Sequence, residues 1–217
     1  MATQENYNFS SNSEEKNIIG LVYKPTPSDR ETEWDRSKVL LSKTDAKGTI
    51  MYANEAFIDV CGYDDFELMG KPHSFIRHPD MPQIVFKMLW EELKNGNDYT
   101  AIIKNMSKTG RYYWVVIDFK VIEDSHGQLS YTGEQRSVPS DIIVKTIEPL
   151  YNKLSQIEKM RDVSSAENYI TGYLEERSKT YVEYIQTLIN TGEDHFGENA
   201  GFVKKKGFFS GFFADKG

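Results

Sequence analysis

Between Val39 and Val138 the apolar positions alternate between a period of two and a period of three to four, and each change of period predicts a new element. Val39 to Asp45 and Thr49 to Asn54 read as two short strands joined by the tight turn Ala46-Lys47-Gly48. Ala56, Phe57 and Val60 then recur at helical spacing up to Gly62, a residue suited to stopping a helix. Residues 64–81 read as short turns and loop, with Gly70-Lys71-Pro72 and the run Arg77-His78-Pro79-Asp80-Met81-Pro82. From Pro82 a longer helix sets Ile84, Val85, Met88, Leu89 and Leu93 on successive turns, Phe86 and Trp90 on an adjoining stripe, and a stop at Asn95-Gly96. Three β segments follow, from Tyr99 to Met106, Arg111 to Ile122 and Leu129 to Val138. The order predicts an α+β fold, an antiparallel sheet of five strands with helices on one face. In its middle strand Tyr113, Val115, Ile117, Phe119 and Val121 share the face turned to a core or a ligand. Trp114 and Val116 on the opposite face predict that the back of the sheet is covered as well, by the N-terminal extension, a C-terminal helix or a second copy.

After Pro139 the pattern is helical. Ile143, Ile147, Leu150, Leu154 and Ile157 recur at alternating spacings of four and three, with Pro149 expected to break or kink the run. A second helix is expected to open at a capping box, Ser164-Ser165-Ala166-Glu167, and to carry Ile170, Leu174, Tyr181, Ile185 and Leu188 on one stripe until Gly192. Residues 1–37 form a polar extension that docks rather than folds alone, with one apolar patch from Ile18 to Tyr23. The chain thus divides into 1–37, a domain at 38–138, a helical region at 139–192 and a tail at 193–217.

Composition narrows the class. In 217 residues, 39% are hydrophobic and 13% aromatic, which suits a folded centre with polar extensions. A net charge of −7 argues against a general grip on nucleic acid. With Cys61 as the single cysteine no intrachain disulfide and no multi-thiolate zinc site is built, which suits a reducing cytoplasm. The first fifteen residues carry neither a basic start nor an apolar core, so no secretory signal is expected, and no apolar run approaches the ~20 residues of a membrane span. The tail differs from the rest: Lys204, Lys205, Lys206 and Lys216 against Asp215 give +3, leaving −10 elsewhere, beside Phe202, Phe208, Phe209, Phe212 and Phe213. Basic residues among aromatics suit an anionic membrane surface or the acidic face of a partner. No GxGxxG, GxxxxGK[ST], HExxH or GxSxG motif is present, and an enzyme is not expected.

The stretch from Ser42 to Arg136 resembles a PAS domain, and specifically the flavin-binding PAS domain of Aer-type aerotaxis receptors. The resemblance lies in Tyr52-Ala53-Asn54-Glu55-Ala56-Phe57, Gly62-Tyr63, Gly70-Lys71-Pro72-His73, Arg77-His78-Pro79-Asp80-Met81-Pro82, Trp90, Lys104-Asn105 and Tyr113-Trp114, and continues into Ile147-Glu148-Pro149-Leu150-Tyr151. It implies a PAS sensor of redox or energy state in aerotaxis, holding FAD. Because the chain ends at Gly217 it is similar to the soluble, CetB-like half of a split system, which implies a cytoplasmic protein working with a membrane-bound methyl-accepting transducer. A homodimer through the sheet or the C-terminal helices, and peripheral membrane contact by the tail, are further expected contacts.

The resemblance places the flavin among Asn54, Arg77, His78, Asp80, Trp90, Tyr99, Asn105 and Tyr113. Trp90, Tyr99 and Tyr113 would wall the ring, and the carboxamides of Asn54 and Asn105 would pair with its edge, each offering donor and acceptor. Arg77, with His78 and Lys71 near it in sequence, would meet the pyrophosphate, and Asp80 would orient His78 or cap the helix from Pro82. Bland roles compete: Asn54 suits the N-cap of the helix after it, Trp90 suits a core, Asn105 a strand end, and Arg77 an ion pair with Asp80 or Asp98. A heme ligated by His73 or His78, or a cofactor-free interaction module, is the alternative.

Overall fold

Leu40–Asp45 (β1) and Ile50–Ala53 (β2) pair antiparallel around a turn in which the Asp45 carboxylate accepts the N–H groups of Lys47 and Thr49, both at 2.8 Å. Gly48 in this turn has φ +81°, and a Cβ there would stand 2.7 Å from the Trp90 ring, so the position needs glycine for conformation and for space. Glu55–Cys61 (α1) starts at Asn54, whose side chain accepts the Phe57 N–H, and ends at Gly62 in the left-handed region. Asp65–Leu68 (α2), a 3₁₀ turn at His73–Ile76 and the longer Gln83–Lys94 (α3) follow. Tyr99–Met106 (β3), Tyr112–Glu123 (β4) and Leu129–Ser137 (β5) complete a five-stranded antiparallel sheet in the order β2-β1-β5-β4-β3. The fold read from the sequence is therefore the one observed. These statements rest on a computed structural model that describes residues 25–192.

Register decides what faces inward. Asn105 lies opposite Tyr113 and Tyr99 opposite Phe119, while Gln135 sits between Ile117 on one side and Leu40 on the other. Paired residues share a face, so Tyr99, Asn105, Tyr113, Ile117, Gln135 and Ser42 all belong to the side on which Phe57 of α1 and Leu89 of α3 are buried.

The back of the sheet is half covered. Tyr151 donates its hydroxyl to the Ile102 carbonyl at 2.7 Å and sets its ring 6.1 Å from Trp114, so the C-terminal helices close the β3–β4 half. On the other half Leu41 and Tyr52 stay 38% and 52% exposed. Residues 25–37 lie against the β3–β4 turn: Ser28 N–H reaches the Gly110 carbonyl, and Thr32 and Arg30 exchange bonds with Tyr112 beyond the end of β5.

The helical region departs from expectation at two joints. Ser140–Ile142 (α4), a π-turn at Ile143–Ile147 and Glu148–Met160 (α5) run into one another, with Pro149 in the first turn of α5, where its missing N–H interrupts little. The expected single helix up to Gly192 is two, Val163–Glu175 (α6) and Tyr181–Thr191 (α7), divided at Ser178 with φ 52°. The capping box belongs to Thr180 and Glu183, not to Ser164 and Glu167. Asp162 caps α6 by accepting the Ser165 N–H, and Glu167 is drawn off to Lys87 at 2.5 Å. The Ile18 to Tyr23 patch and the basic aromatic tail lie outside the described residues. Among the described residues no helix is long and apolar enough to cross a membrane.

Candidate functional site

The inward face of the sheet holds polar groups that the protein itself leaves unanswered. Both side-chain ends of Gln135, which is 0% exposed, the amide nitrogen of Asn105, the hydroxyl of Tyr113 and the Nε of Arg77 are buried without a hydrogen-bond partner. Each such group costs about 1–3 kcal/mol when left bare; the Tyr99 hydroxyl and Trp34 Nε1 are bare as well. Apolar Ile103, Val115, Ile117 and Ala101 fill the same face between them.

In the loop after the 3₁₀ turn the Arg77 backbone forms an isolated antiparallel β-bridge with Asn105, and its guanidinium lies 3.3 Å from the centre of the Phe86 ring of α3. No carboxylate pairs with it among the described residues, and burial pulls its pKa down to about 10. His73 stands nearby: burial, then the Arg77 charge, lower its pKa to about 4, so its ring is neutral, with Nε2 3.3 Å from Ser42 Oγ. Burial pushes the Tyr113 phenol well above its ordinary value, and Cys61 adds to the effect. Cys61 is itself raised to about 11 by burial, an inert thiol.

The expected site residues separate into groups. Arg77, Asn105 and Tyr113 meet at one end of the face. Trp90 lies toward the other end, edge-on to Tyr131 at 5.8 Å and against Gly48. Tyr99 to Asn105 spans about 20 Å of strand, but the Tyr99 ring stacks on Tyr181 of α7 at 5.6 Å, so it is engaged by the helical region.

Asn54 takes its structural role. Its carbonyl oxygen accepts the N–H groups of Leu41 and Phe57, and its amide donates to Val39 O, so both ends are committed. His78 and Asp80 lie away from the inward face. The His78 ring is buried edge-on to Tyr112, with Nδ1 3.3 Å from Asp80 Oδ2, and Asp80 pairs with Lys104 Nζ at 2.9 Å on the back of β3. Asp80 also leaves α3 uncapped, and the cap comes from Glu158 of α5. Gln135 escaped the sequence reading; the signal available was a polar residue at an inward position of an alternating strand, between Gly133 and Ser137.

Residues 50–133 match the family model described as PAS fold. The five-stranded sheet with its short helices has that fold. Around this PAS fold the chain is 36% identical over 131 residues to the aerotaxis receptor of Escherichia coli strain K12, which covers 60% of this chain and 26% of that protein. It is 28% identical over 116 residues to the biofilm dispersion protein BdlA of Pseudomonas aeruginosa, covering 53% of this chain and 28% of that one. The chain thus spans about a quarter of the length of the curated relatives it matches. A light-oxygen-voltage domain solved in work on a flavin analogue overlays with a TM-score of 0.47 at 22% identity, over 54% of this chain and 90% of that one.

Proposed function

We propose that this chain is a sensor, not a catalyst, which holds FAD against the inward face of the sheet and passes its redox state through residues 139–192 to a membrane-bound chemotaxis transducer. The observation that carries the reading is the set of unpartnered polar groups on the inward sheet face. Their chemistry fits the group. Gln135 offers a donor and an acceptor at the centre of the face, as the edge of a flavin ring requires, while Asn105 and Tyr113 add donors beside it. Arg77, half-buried and without a carboxylate beside it, supplies the charge that a phosphate answers. Bound there, a flavin supplies a change of charge and of hydrogen-bonding character on reduction. Because neither end of Gln135 is held by the protein, its carboxamide is free to offer oxygen or nitrogen as that edge changes. The kinship to an aerotaxis receptor supports the stimulus and the transducer.

An absorption spectrum tests this directly. The purified protein should be yellow and release FAD on denaturation, and Arg77→Ala should lose the flavin while staying folded. A colourless protein that also fails to take up added FAD overturns the reading.

A further inference from the structure

One polar pair beside the inward face takes no part in the ligand contacts proposed above. Ser42 of β1 is 4% exposed and lies opposite Gly133 of β5, one inward position along from Gln135. A Cβ on Gly133 would stand 3.3 Å from Ser42 Oγ, so this hydroxyl sits at bare glycine backbone in the middle of the face. Ser42 Oγ is in turn 3.3 Å from His73 Nε2, and the tautomer decides which of the two donates. His73 opens the 3₁₀ turn, with its N–H held by the Gly48 carbonyl at 2.8 Å and its ring edge-on to Phe57 of α1 at 5.9 Å. Unlike Ser42, His73 keeps part of its surface accessible. The pair therefore leads from a partly exposed imidazole to a buried hydroxyl.

The groups already assigned to the ligand are poor carriers of protons. The carboxamides of Gln135 and Asn105 do not release one near neutral pH. Burial holds the Tyr113 phenol well above its ordinary value, and Arg77 keeps its proton up to about pH 10. An imidazole differs, because it can take a proton on one nitrogen while giving one from the other, and a hydroxyl can do the same through its single oxygen. Phe57 and the Gly48 carbonyl bring no ionisable group to His73. The Arg77 guanidinium does bring charge, and together with burial it keeps the ring neutral above about pH 4. His73 is thus suited to pass a proton without storing it.

We propose that Ser42 and His73 form the proton path to the ligand on the inward face, an inference that rests on the flavin reading above. Two electrons from one-electron carriers, such as reduced iron–sulfur proteins, need one accompanying proton if the ring is to gain a single negative charge: FAD + 2e⁻ + H⁺ → FADH⁻. The Ser42 hydroxyl gives up its proton and takes another from His73 Nε2, while water replenishes His73 at Nδ1. On oxidation the same groups carry the proton out, and His73 returns to its starting tautomer.

Reduced methyl viologen, which gives electrons and no proton, tests the path on the full chain loaded with FAD. In stopped flow the flavin absorbance reads the electrons and an indicator dye reads the proton, with all proteins compared at equal FAD occupancy. His73→Gln and Ser42→Ala should each slow proton uptake about a hundredfold. Ser42→Thr, which keeps a hydroxyl, should retain the native rate. Added imidazole should recover uptake in His73→Ala, a rescue that a merely structural histidine would not show. Native rates of proton uptake in both His73→Gln and Ser42→Ala overturn the path and leave the flavin reading standing. A chain that takes up no FAD overturns the flavin reading and the path with it.

Discussion

Gln135 carries opposite consequences for stability and for binding. Fully buried with both ends unpartnered, it is a cost to the apoprotein that only a ligand repays. Gln135→Leu should therefore raise the stability of the apoprotein by about 1–3 kcal/mol and reduce flavin retention, seen by thermal unfolding beside the absorption spectrum. A fall in both would mean that the side chain is structural. His73 gives a pH dependence with a definite sign. Its pKa is about 4 in the fold, against an ordinary value near 6.5, so between these values the unfolded chain binds more protons. Stability is then full above about pH 6.5 and declines as the pH falls toward 4, by about 2 kcal/mol between pH 7 and pH 5. His73→Gln keeps a polar partner for Ser42 and should flatten that slope in urea titrations at the two pH values, whereas an unchanged slope would assign the effect elsewhere.

At the scale of elements, boundaries followed local chemistry wherever the chain supplied its own partners. Gly48 shows this: Gly48→Ala must place a side chain at φ +81° and within 2.7 Å of Trp90. It should cost about 2 kcal/mol, read as a lower urea midpoint with an unchanged slope, and an undiminished midpoint would mean that α3 yields to it. Gly110 does the same for the docked extension, because at φ +80° a Cβ there would collide with Thr26 O. Gly110→Ala should free residues 25–37 to limited proteolysis with the sheet intact; equal resistance would show the strap to be held by its other contacts. Where partners are distant, local reading failed. Ser164 and Glu167 have the spacing of a capping box, yet Lys87 of α3 competes for Glu167 and Asp162 takes the cap. Asp80 likewise looked like a cap for α3 until Lys104 claimed it.

For the whole molecule, the helical region is a wall of the PAS fold as well as its continuation. Removing residues 139–192 strips Tyr151 from Trp114 and Ile102, and α7 from β3, uncovering apolar sheet. A 25–138 fragment should self-associate in size-exclusion chromatography while the longer chain does not, and a well-behaved monomeric fragment would show that the back of the sheet tolerates water. The tail acts on a different contact. Deleting residues 201–217, with its +3 charge and phenylalanines, should release the protein from a membrane or transducer fraction without altering the flavin spectrum. Continued co-sedimentation would assign the relay to residues 139–192.

The amino-acid order alone determined the strands, the α3 helix and the inward face of β4, because alternation, helical spacing and glycine turns are set by residues a few positions apart. Strand period also placed Tyr113 on the inward face, where it lies opposite Asn105. Tertiary structure decided the rest. Whether Asn54 meets a ligand or a helix end, whether His78 and Asp80 turn to the inward face or to Lys104, and whether Gln135 finds a partner all depend on groups brought near from far along the chain. Hydrogen bonds and ion pairs are satisfied by whatever the fold places within reach, so the role of a polar side chain is settled only when its competitors are in position.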